Sequence, residues 1–412
     1  MFTTDRTYVD SHPWLTYNFQ TDALRHITWA HLGEAYSKCQ HLVGTPLQPR
    51  VAWDLAGVYM RRGALASAAI EGNTLSEDEV EEIFVNKRRL PESQQYLEQE
   101  VRNVLDALQT IRQEVNEGRG DDFELTPEWI KAKHAALLKD LEVPDHVSPG
   151  EYRDIPIVVG NYRGAPAEDV PYLMEELCRW VNEIMSDARR AAVTSTDEAF
   201  FLTFFAATLS HLYIAWIHPF GDGNGRAARL IECAILAHSG LVPWISTNLL
   251  SDYYNRTRTR YYERLDAASK ANDVAGFIAY SALGFRDQLR EQVRTVQAQQ
   301  RRVAWINYVH ERFQAEPSTD IARRRRAVVL AMPDSKPLTR KEIRYLTPAI
   351  AEMYDGTTDR LFRRDMNKLL ELELITDVGG NKFESSIWRM DAFTPRPEFG
   401  AYFPVLEKLG EE

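Results

Sequence analysis

Cysteine is scarce. Cys39, Cys178 and Cys233 are spread over 412 residues, too few and too scattered for a disulfide framework or a thiolate zinc site. The opening residues lack a basic stretch followed by an apolar run, so no secretory signal is read there, and a reducing, cytosolic setting is expected. Positive charge is also short: 49 Lys and Arg stand against 60 Asp and Glu, a formal net charge of −11. That argues against bulk binding to nucleic acid or an anionic membrane, while leaving room for a local basic patch. Repeats and low-complexity tracts are missing. With 44% apolar residues, dominant disorder is excluded, and the length allows two to four domains. One apolar run, 199–217, approaches a membrane span in length. Thr203, Thr208, Ser210 and His211 interrupt it, and it is read as a buried central helix. No membrane association is expected.

The pattern along the chain is mostly helical. Helices are expected over 22–41, 49–71, 93–117, 127–140, 169–186, 197–217, 224–238, 251–270, 273–290 and 291–315. Ser76–Glu79, Ser195–Glu198 and Thr339–Glu342 read as capping boxes, and Thr126-Pro127 as an N-cap followed by proline at the first helical position. Between 142 and 167 prolines and glycines break the pattern; Ile155–Val159 and Tyr162 around Gly160-Asn161 suit a short hairpin. After the turn-rich stretch Pro333–Pro337, a helix over 357–372 buries Phe362, Met366, Leu369 and Leu370. Two strand-like runs follow around Gly379-Gly380-Asn381. Helices followed by a hairpin give the tail a winged-helix look.

The densest chemistry lies in His218-Pro219-Phe220-Gly221-Asp222-Gly223-Asn224-Gly225-Arg226-Ala227-Ala228-Arg229. Glycines let backbone N–H groups face an anion, and the following helix points its positive end at the same place. Arg226 and Arg229 share a face one turn in. The loop is built for a ligand with several negative charges, most simply a polyphosphate. Asp222 suits a Mg²⁺ that keeps water and phosphate oxygens as its other ligands. His218 can accept a proton near neutral pH. A Walker-type phosphate loop is excluded, since no Gly-Lys-Ser/Thr ending or preceding strand is present.

Residues 218–229 resemble the Fic family, whose motif is His-x-Phe-x-Asp/Glu-Gly-Asn-Gly-Arg-x-x-Arg, and every fixed position matches. The resemblance implies a mainly α fold, a Fic-type helical core with a small β-hairpin flap, here followed by a winged-helix-like domain. It also implies transfer of AMP from ATP to a protein hydroxyl. On that basis His218 is the general base, Phe220 anchors the loop and Asp222 holds Mg²⁺. Gly223, Asn224 and Gly225 meet the phosphates, and Arg226 and Arg229 hold the β- and γ-phosphates. Families that replace Gly-Asn-Gly-Arg with Ala-Asn-Lys-Arg act as phosphotransferases; this chain lacks that replacement.

A second resemblance is Ser67-Ala68-Ala69-Ile70-Glu71-Gly72-Asn73 to the Fic inhibitory motif. Ser67 and Glu71 lie on one helical face, and Gly72 suits a helix end. The resemblance implies that Glu71 pairs with Arg229 and obstructs the γ-phosphate. Gly150–Asp154 through Pro166 and Val170-Pro171 resemble the flap, implying that residues 152–163 dock an extended target segment. In the stretch carrying Tyr253-Tyr254 and Tyr261-Tyr262, Tyr254 is the candidate for contact with the nucleotide base. With His12–Thr16 at its opening, the resemblance spans about 10–290.

The expected organisation is an N-terminal helical region with the inhibitory helix (1–110), a Fic core (111–290), a helical linker (291–335) and a winged-helix-like domain (336–412). The expected function is a self-inhibited protein adenylyltransferase that releases pyrophosphate, with ATP as co-substrate and Mg²⁺ as cofactor. The alternatives are a Fic enzyme that removes AMP or uses another nucleotide, and a winged-helix regulator whose core senses nucleotide. The target protein is unknown and a homodimer is left open. Arg360, Arg363, Arg364 and Lys368 allow DNA binding by the tail. The net negative charge favours a solvated face for dimerisation or docking instead, and Arg323–Arg326 are read as another solvated helix face.

Overall fold

The computed structural model describes residues 6–119, 123–160, 162–314, 319–334 and 336–391. Asn161 of the hairpin turn, Ala315 of the expected 291–315 helix, Ser335 of the turn-rich stretch and residues 392–412 of the tail lie outside the described residues. The chain divides into two units, 1–294 and 295–412.

The first unit opens with α1 (Thr7–Ser11), α2 (His26–Val43), α3 (Pro49–Ile70), α4 (Glu77–Phe84), α5 (Gln95–Glu114) and α6 (Pro127–Leu137). A hairpin of β1 (Val158–Val159) and β2 (Tyr162–Arg163) follows, antiparallel, with Val159 opposite Tyr162. Then come α7 (Val170–Ala191), α8 (Thr196–Ile217), α9 (Asn224–His238), α10 (Leu249–Arg256), α11 (Arg258–Lys270) and the start of α12 (Val274–Arg312).

Helix α8 is the centre. It is apolar all round and therefore needs neighbours on every side; α7 and α9 flank it, and α2 and α11 also touch it. It is long and apolar enough to cross a membrane, yet 83% of its most apolar stretch is buried in protein. Ser195 Oγ caps it by accepting from the Glu198 amide at 3.3 Å. The reciprocal half of that expected capping box is not formed, whereas the Ser76–Glu79 and Thr339–Glu342 boxes form in full. The expected 251–270 helix breaks at Thr257 (φ −116°, ψ 36°). Its hydroxyl bonds the Tyr253 carbonyl and the Tyr280 hydroxyl, side-chain bonding that competes with a helical backbone.

The second unit holds the end of α12, then α13 (Asp320–Ala331), β3 (Leu338–Thr339), α14 (Arg340–Arg344), α15 (Pro348–Met353), α16 (Asp359–Glu371), β4 (Ile375–Gly379) and β5 (Lys382–Ser385). The strands form one antiparallel sheet in the order β3-β5-β4. Of the 291–335 stretch expected as a helical linker, the described residues 295–314 and 319–334 instead contribute to this unit's core. Trp305, Val309 and Phe313 give the end of α12 an apolar stripe that buries with Val328, Val329, Phe362, Met366, Leu369 and Phe383.

The expectation that Arg323–Arg326 form a solvated face holds for Arg323, which is exposed, but not for Arg324 and Arg325. Asp365 is 1% exposed, and a buried carboxylate must be paired. Arg324 donates to its Oδ2 at 2.7 and 2.9 Å, Arg325 to its Oδ1 at 2.8 Å, and the Tyr354 hydroxyl to Oδ2 at 3.1 Å. Breaking one member of a buried ionic cluster costs about 3–5 kcal/mol. Asp365→Asn is expected to lower the protection of α13 and α16 amides in hydrogen exchange by an amount in that range. A loss below about 1 kcal/mol would show that the cluster does not hold this unit together.

Candidate active site

The site is built where α8 ends. His218 closes the helix in a left-handed conformation (φ 53°), a sparsely populated state for a side chain with a Cβ. Its surroundings impose it. Arg153, 5% exposed, donates from Nε to the His218 carbonyl at 2.7 Å. The same guanidinium reaches the Ile155 and Ala165 carbonyls at 2.7 and 2.5 Å. Tyr162 donates to the Trp216 carbonyl at 2.8 Å. The hairpin is thereby stitched to the last turn of α8.

Behind His218, Phe220 is fully buried and stacks on His134, ring centroids 3.6 Å apart. His134 Nδ1 accepts from the Gly150 amide at 3.0 Å, so its proton sits on Nε2, which donates to the Asp222 carbonyl at 2.8 Å. Burial pushes its pKa down to about 4 despite that bond, leaving a neutral ring that clamps the loop. Asn224, assigned by resemblance to phosphate contact, spends its side chain on the loop: Oδ1 accepts from Phe220 N at 2.9 Å, and Nδ2 donates to Phe220 O at 2.8 Å. Gly223 takes φ 74°, a conformation that glycine adopts without strain.

His218 Nδ1 lies 3.3 Å from the Ala215 carbonyl, which places the ring proton on Nδ1 and leaves Nε2 as an open acceptor. Desolvation pushes its pKa down to about 4, with Arg153 adding to the shift and the Ala215 bond, Glu71 and Asp222 opposing it. The ring is neutral at pH 7, more firmly than an unperturbed histidine.

The two motif arginines come from the first turns of α9. Arg229 is 1% exposed. It donates from Nε to Ser67 Oγ at 3.1 Å and from Nη2 to the Ser67 carbonyl at 2.9 Å, and from Nη2 to Glu71 Oε1 at 2.6 Å. Desolvation alone would raise the Glu71 pKa; the Arg229 charge and hydrogen bond outweigh it and hold the carboxyl below its ordinary range. Glu71 Oε1 fills the space beside Gly225, and a Cβ there would push the carboxylate aside. Glu71 caps α3, followed by Gly72 at φ 110°. Arg258 binds the Ile70 carbonyl at 2.5 Å, and buried Asn73 donates to the Leu97 carbonyl and to Glu100 at 2.9 and 2.8 Å.

Glu100 also lies 3.5 Å from Arg226, and Asp222 Oδ2 lies 3.4 Å from it. Even so, Arg226 Nε and Nη1 and Arg229 Nη1 are buried without a hydrogen-bond partner among the described residues. Asp222 Oδ1 accepts from the Gly223 amide at 2.6 Å, and its side chain is 51% exposed. One open carboxylate, in a chain with no cluster of metal-ligating side chains among the described residues, fits a Mg²⁺ completed by water and phosphate oxygens rather than a protein-built cage.

Glu71, His218, Gly225 and Arg229 line one cavity of about 480 Å³, walled also by Gly160, Tyr162, Trp216, Tyr261 and Tyr262. Asp222 and Arg226 belong to the adjoining loop and are not on its wall. Tyr254 is not there either, which corrects the nucleotide-contact assignment. It is fully buried, with its hydroxyl on Glu232 Oε1 and Ser281 Oγ, each at 2.9 Å. The break at Thr257 starts a new helix, and Tyr261 and Tyr262 of that helix face the cavity instead. His134, Arg153 and Glu100 were not singled out from sequence. His134 had only the cue of a lone histidine between Ile130 and Leu137 on α6, and Arg153 lay inside the flap resemblance without a role.

Residues 124–236 match the model of the Fic/DOC family. The protein adenylyltransferase fic-1 of Caenorhabditis elegans is 27% identical over 216 residues, covering 52% of this chain and 38% of that protein. The protein adenylyltransferase Fic of Nematostella vectensis is 28% identical over 219 residues, covering 52% and 44%. The match thus spans less than half the length of these relatives. A crystal structure of a Fic family protein from Desulfovibrio desulfuricans G20 aligns over 90% of this chain and 97% of that one, with a TM-score of 0.53 at 22% identity, and so shares the fold. The chain therefore carries a Fic/DOC family domain and is a distant relative of the protein adenylyltransferases.

Proposed function

We propose that the chain is a protein adenylyltransferase that moves AMP from ATP to a Ser, Thr or Tyr hydroxyl of a target protein, and that Glu71 restrains it by holding Arg229. The observation that carries this reading is Arg229 Nη1, buried with no hydrogen-bond partner among the described residues and in the same cavity as His218, with Arg226 Nε and Nη1 in the adjoining loop likewise lacking hydrogen-bond partners. Each unsatisfied buried donor costs about 1–3 kcal/mol, a cost that a bound triphosphate removes. His218 takes the hydroxyl proton, the hydroxyl oxygen attacks the α-phosphorus, the bond to the β-phosphate breaks, and pyrophosphate leaves. Positioning and neutralisation of charge supply most of the catalysis in such a transfer. Mg²⁺, held by Asp222, would neutralise phosphate charge. The hairpin supports docking of an extended target segment by strand addition, since Val158 and Val159 are exposed.

The restraint is electrostatic. The carboxylate of Glu71 sits on the guanidinium meant for the γ-phosphate. Two like charges 4 Å apart at an effective dielectric of 20 repel by about 4 kcal/mol. Because Glu71 and His218 line the same cavity, a second reading is also supported: Glu71 orients a water for removal of AMP. Wild type releasing AMP from a modified target, with Glu71→Gly unable to, would select that reading.

Glu71→Gly is expected to raise transfer, including self-modification, by on the order of 10²-fold, the gain from restoring an alignment about 1 Å out. Labelled ATP, UTP and GTP with a cell lysate measure it and report the nucleotide and the target together. Arg229→Ala should stay inactive even with Glu71→Gly, because the phosphate ligand is then missing; an active double variant removes Arg229 from the site.

His218→Ala should abolish transfer while ATP still binds. In Glu71→Gly, initial rates measured in short pulses between pH 3.5 and 8 should be flat through neutrality and fall only as pH drops towards about 4, where His218 gains its proton. The missing Glu71 charge moves that limb lower still. An acid limb near pH 6.5 would contradict this histidine as the base.

A further inference from the structure

The charge of the chain is unevenly spread. The second unit, residues 295–412, carries 19 Lys and Arg against 18 Asp and Glu, while the whole chain carries 49 against 60. The second unit is therefore close to neutral inside an acidic protein, and the excess of acid lies in the first. The argument against nucleic acid drawn from total charge does not apply to it, since association depends on the local field within about 10 Å.

Within this unit the free positive charge is concentrated on α16. Phe362, Asp365, Met366 and Leu369 bury one face of the helix. Arg360, Arg363, Arg364 and Asn367 follow i, i+3, i+4, i+7 along the opposite face and are exposed. No ion pair or hydrogen bond engages the three arginines among the described residues, although Asp359, Asp365 and Glu371 lie on the same helix. Those carboxylates are taken: Asp359 by Arg344 at 2.5 Å, Asp365 by Arg324 and Arg325, and Glu371 by Lys368 at 2.9 Å. The stripe thus presents three guanidinium groups unpaired among the described residues and one amide, with no exposed unpaired carboxylate on the helix.

Its setting suits a duplex. Helix α16 follows the short helices α14 and α15 and runs directly into the β4–β5 hairpin. The hairpin adds exposed Lys382, and Arg340 is held at its base by Asn381 Oδ1 at 2.6 Å and over the Phe383 ring. An exposed helix of this diameter fits the major groove, which is about 12 Å wide. Arginine is the side chain best matched to guanine edges and phosphates, and asparagine to adenine. We infer that the second unit binds double-stranded DNA, with the Arg360–Asn367 face of α16 in the major groove and the β4–β5 hairpin on the adjacent backbone.

The test uses the full chain and a fluorescein-labelled random-sequence 30-bp duplex, read by anisotropy between 50 and 200 mM NaCl. Wild type should bind, weakening on the order of 40-fold or more over that range if three phosphate-neutralising arginines contribute about 0.9 each to the salt slope. The variant R360Q/R363Q/R364Q should lose that affinity and lower the slope by about 3. Its hydrogen-exchange protection should match wild type, because these side chains hold nothing in place. A control variant at the exposed Arg179 and Arg190 of the first unit should bind like wild type. Binding unchanged in the triple variant, no binding by wild type at 50 mM NaCl, or equal binding to double-stranded RNA or polyglutamate of matched charge would each overturn the assignment.

Discussion

A guanidinium almost sealed from water must have negative charge or oxygen lone pairs beside it. Arg229 is in that position, and much of the first unit follows from it. Helix α9 carries it beneath the end of α8, and α3 brings Ser67 and Glu71 to meet it. Arg258 and Asn73 then fix the end of α3 that bears Glu71. The Glu71 carboxylate occupies the space that a side chain at position 225 would need. A buried pair of this kind is hard to break by removing one partner, but exchanging one anion for another keeps the guanidinium charge paired. The proposed restraint has that property: a triphosphate can replace Glu71 without stranding Arg229, so the contact can be stable and still reversible.

The rest of the site is preorganised rather than adaptable. His134 and Asn224 hold the loop from beneath, Arg153 ties the hairpin to the His218 carbonyl, and His218 itself is kept in a strained backbone state. Preorganised dipoles and charges cost no rearrangement at the moment of reaction. The segment that matches the Fic/DOC family lies in the acidic first unit, and the exposed arginines of α16 belong to the second.

The loop 218–229 was legible in sequence because its residues are contiguous and each type has a chemical reason to be there. Glu71 was legible because Ser67, Glu71 and Gly72 fall within one helical end. The residues that hold the loop were not, since His134, Arg153 and Glu100 are brought to it by tertiary packing from 65 to over 100 positions away. Tyr254 misled for a local reason: Thr257 breaks the helix, so Tyr261 and Tyr262 turn to the cavity while Tyr254 turns to Glu232 and Ser281. The linker reading of 291–335 missed the apolar residues Trp305, Val309, Phe313, Val328 and Val329, which bury in the second unit, and the pairing of Arg324 and Arg325 with Asp365. Helix positions were otherwise recoverable from caps and periodicity, while the hairpin strands shrank to two residues each.

The central claim is that the Glu71 carboxylate occupies the place of the γ-phosphate on Arg229. Crystal structures of wild type and of Glu71→Gly, each with ATP and Mg²⁺, test it most directly. The account predicts the γ-phosphate on Arg229 in the variant, with the α-phosphorus in line with the space beside His218 Nε2. In wild type the Glu71–Arg229 bond should persist and the triphosphate should be turned away. The same triphosphate pose in both proteins, with Arg229 still bound to Glu71 in wild type, would contradict it.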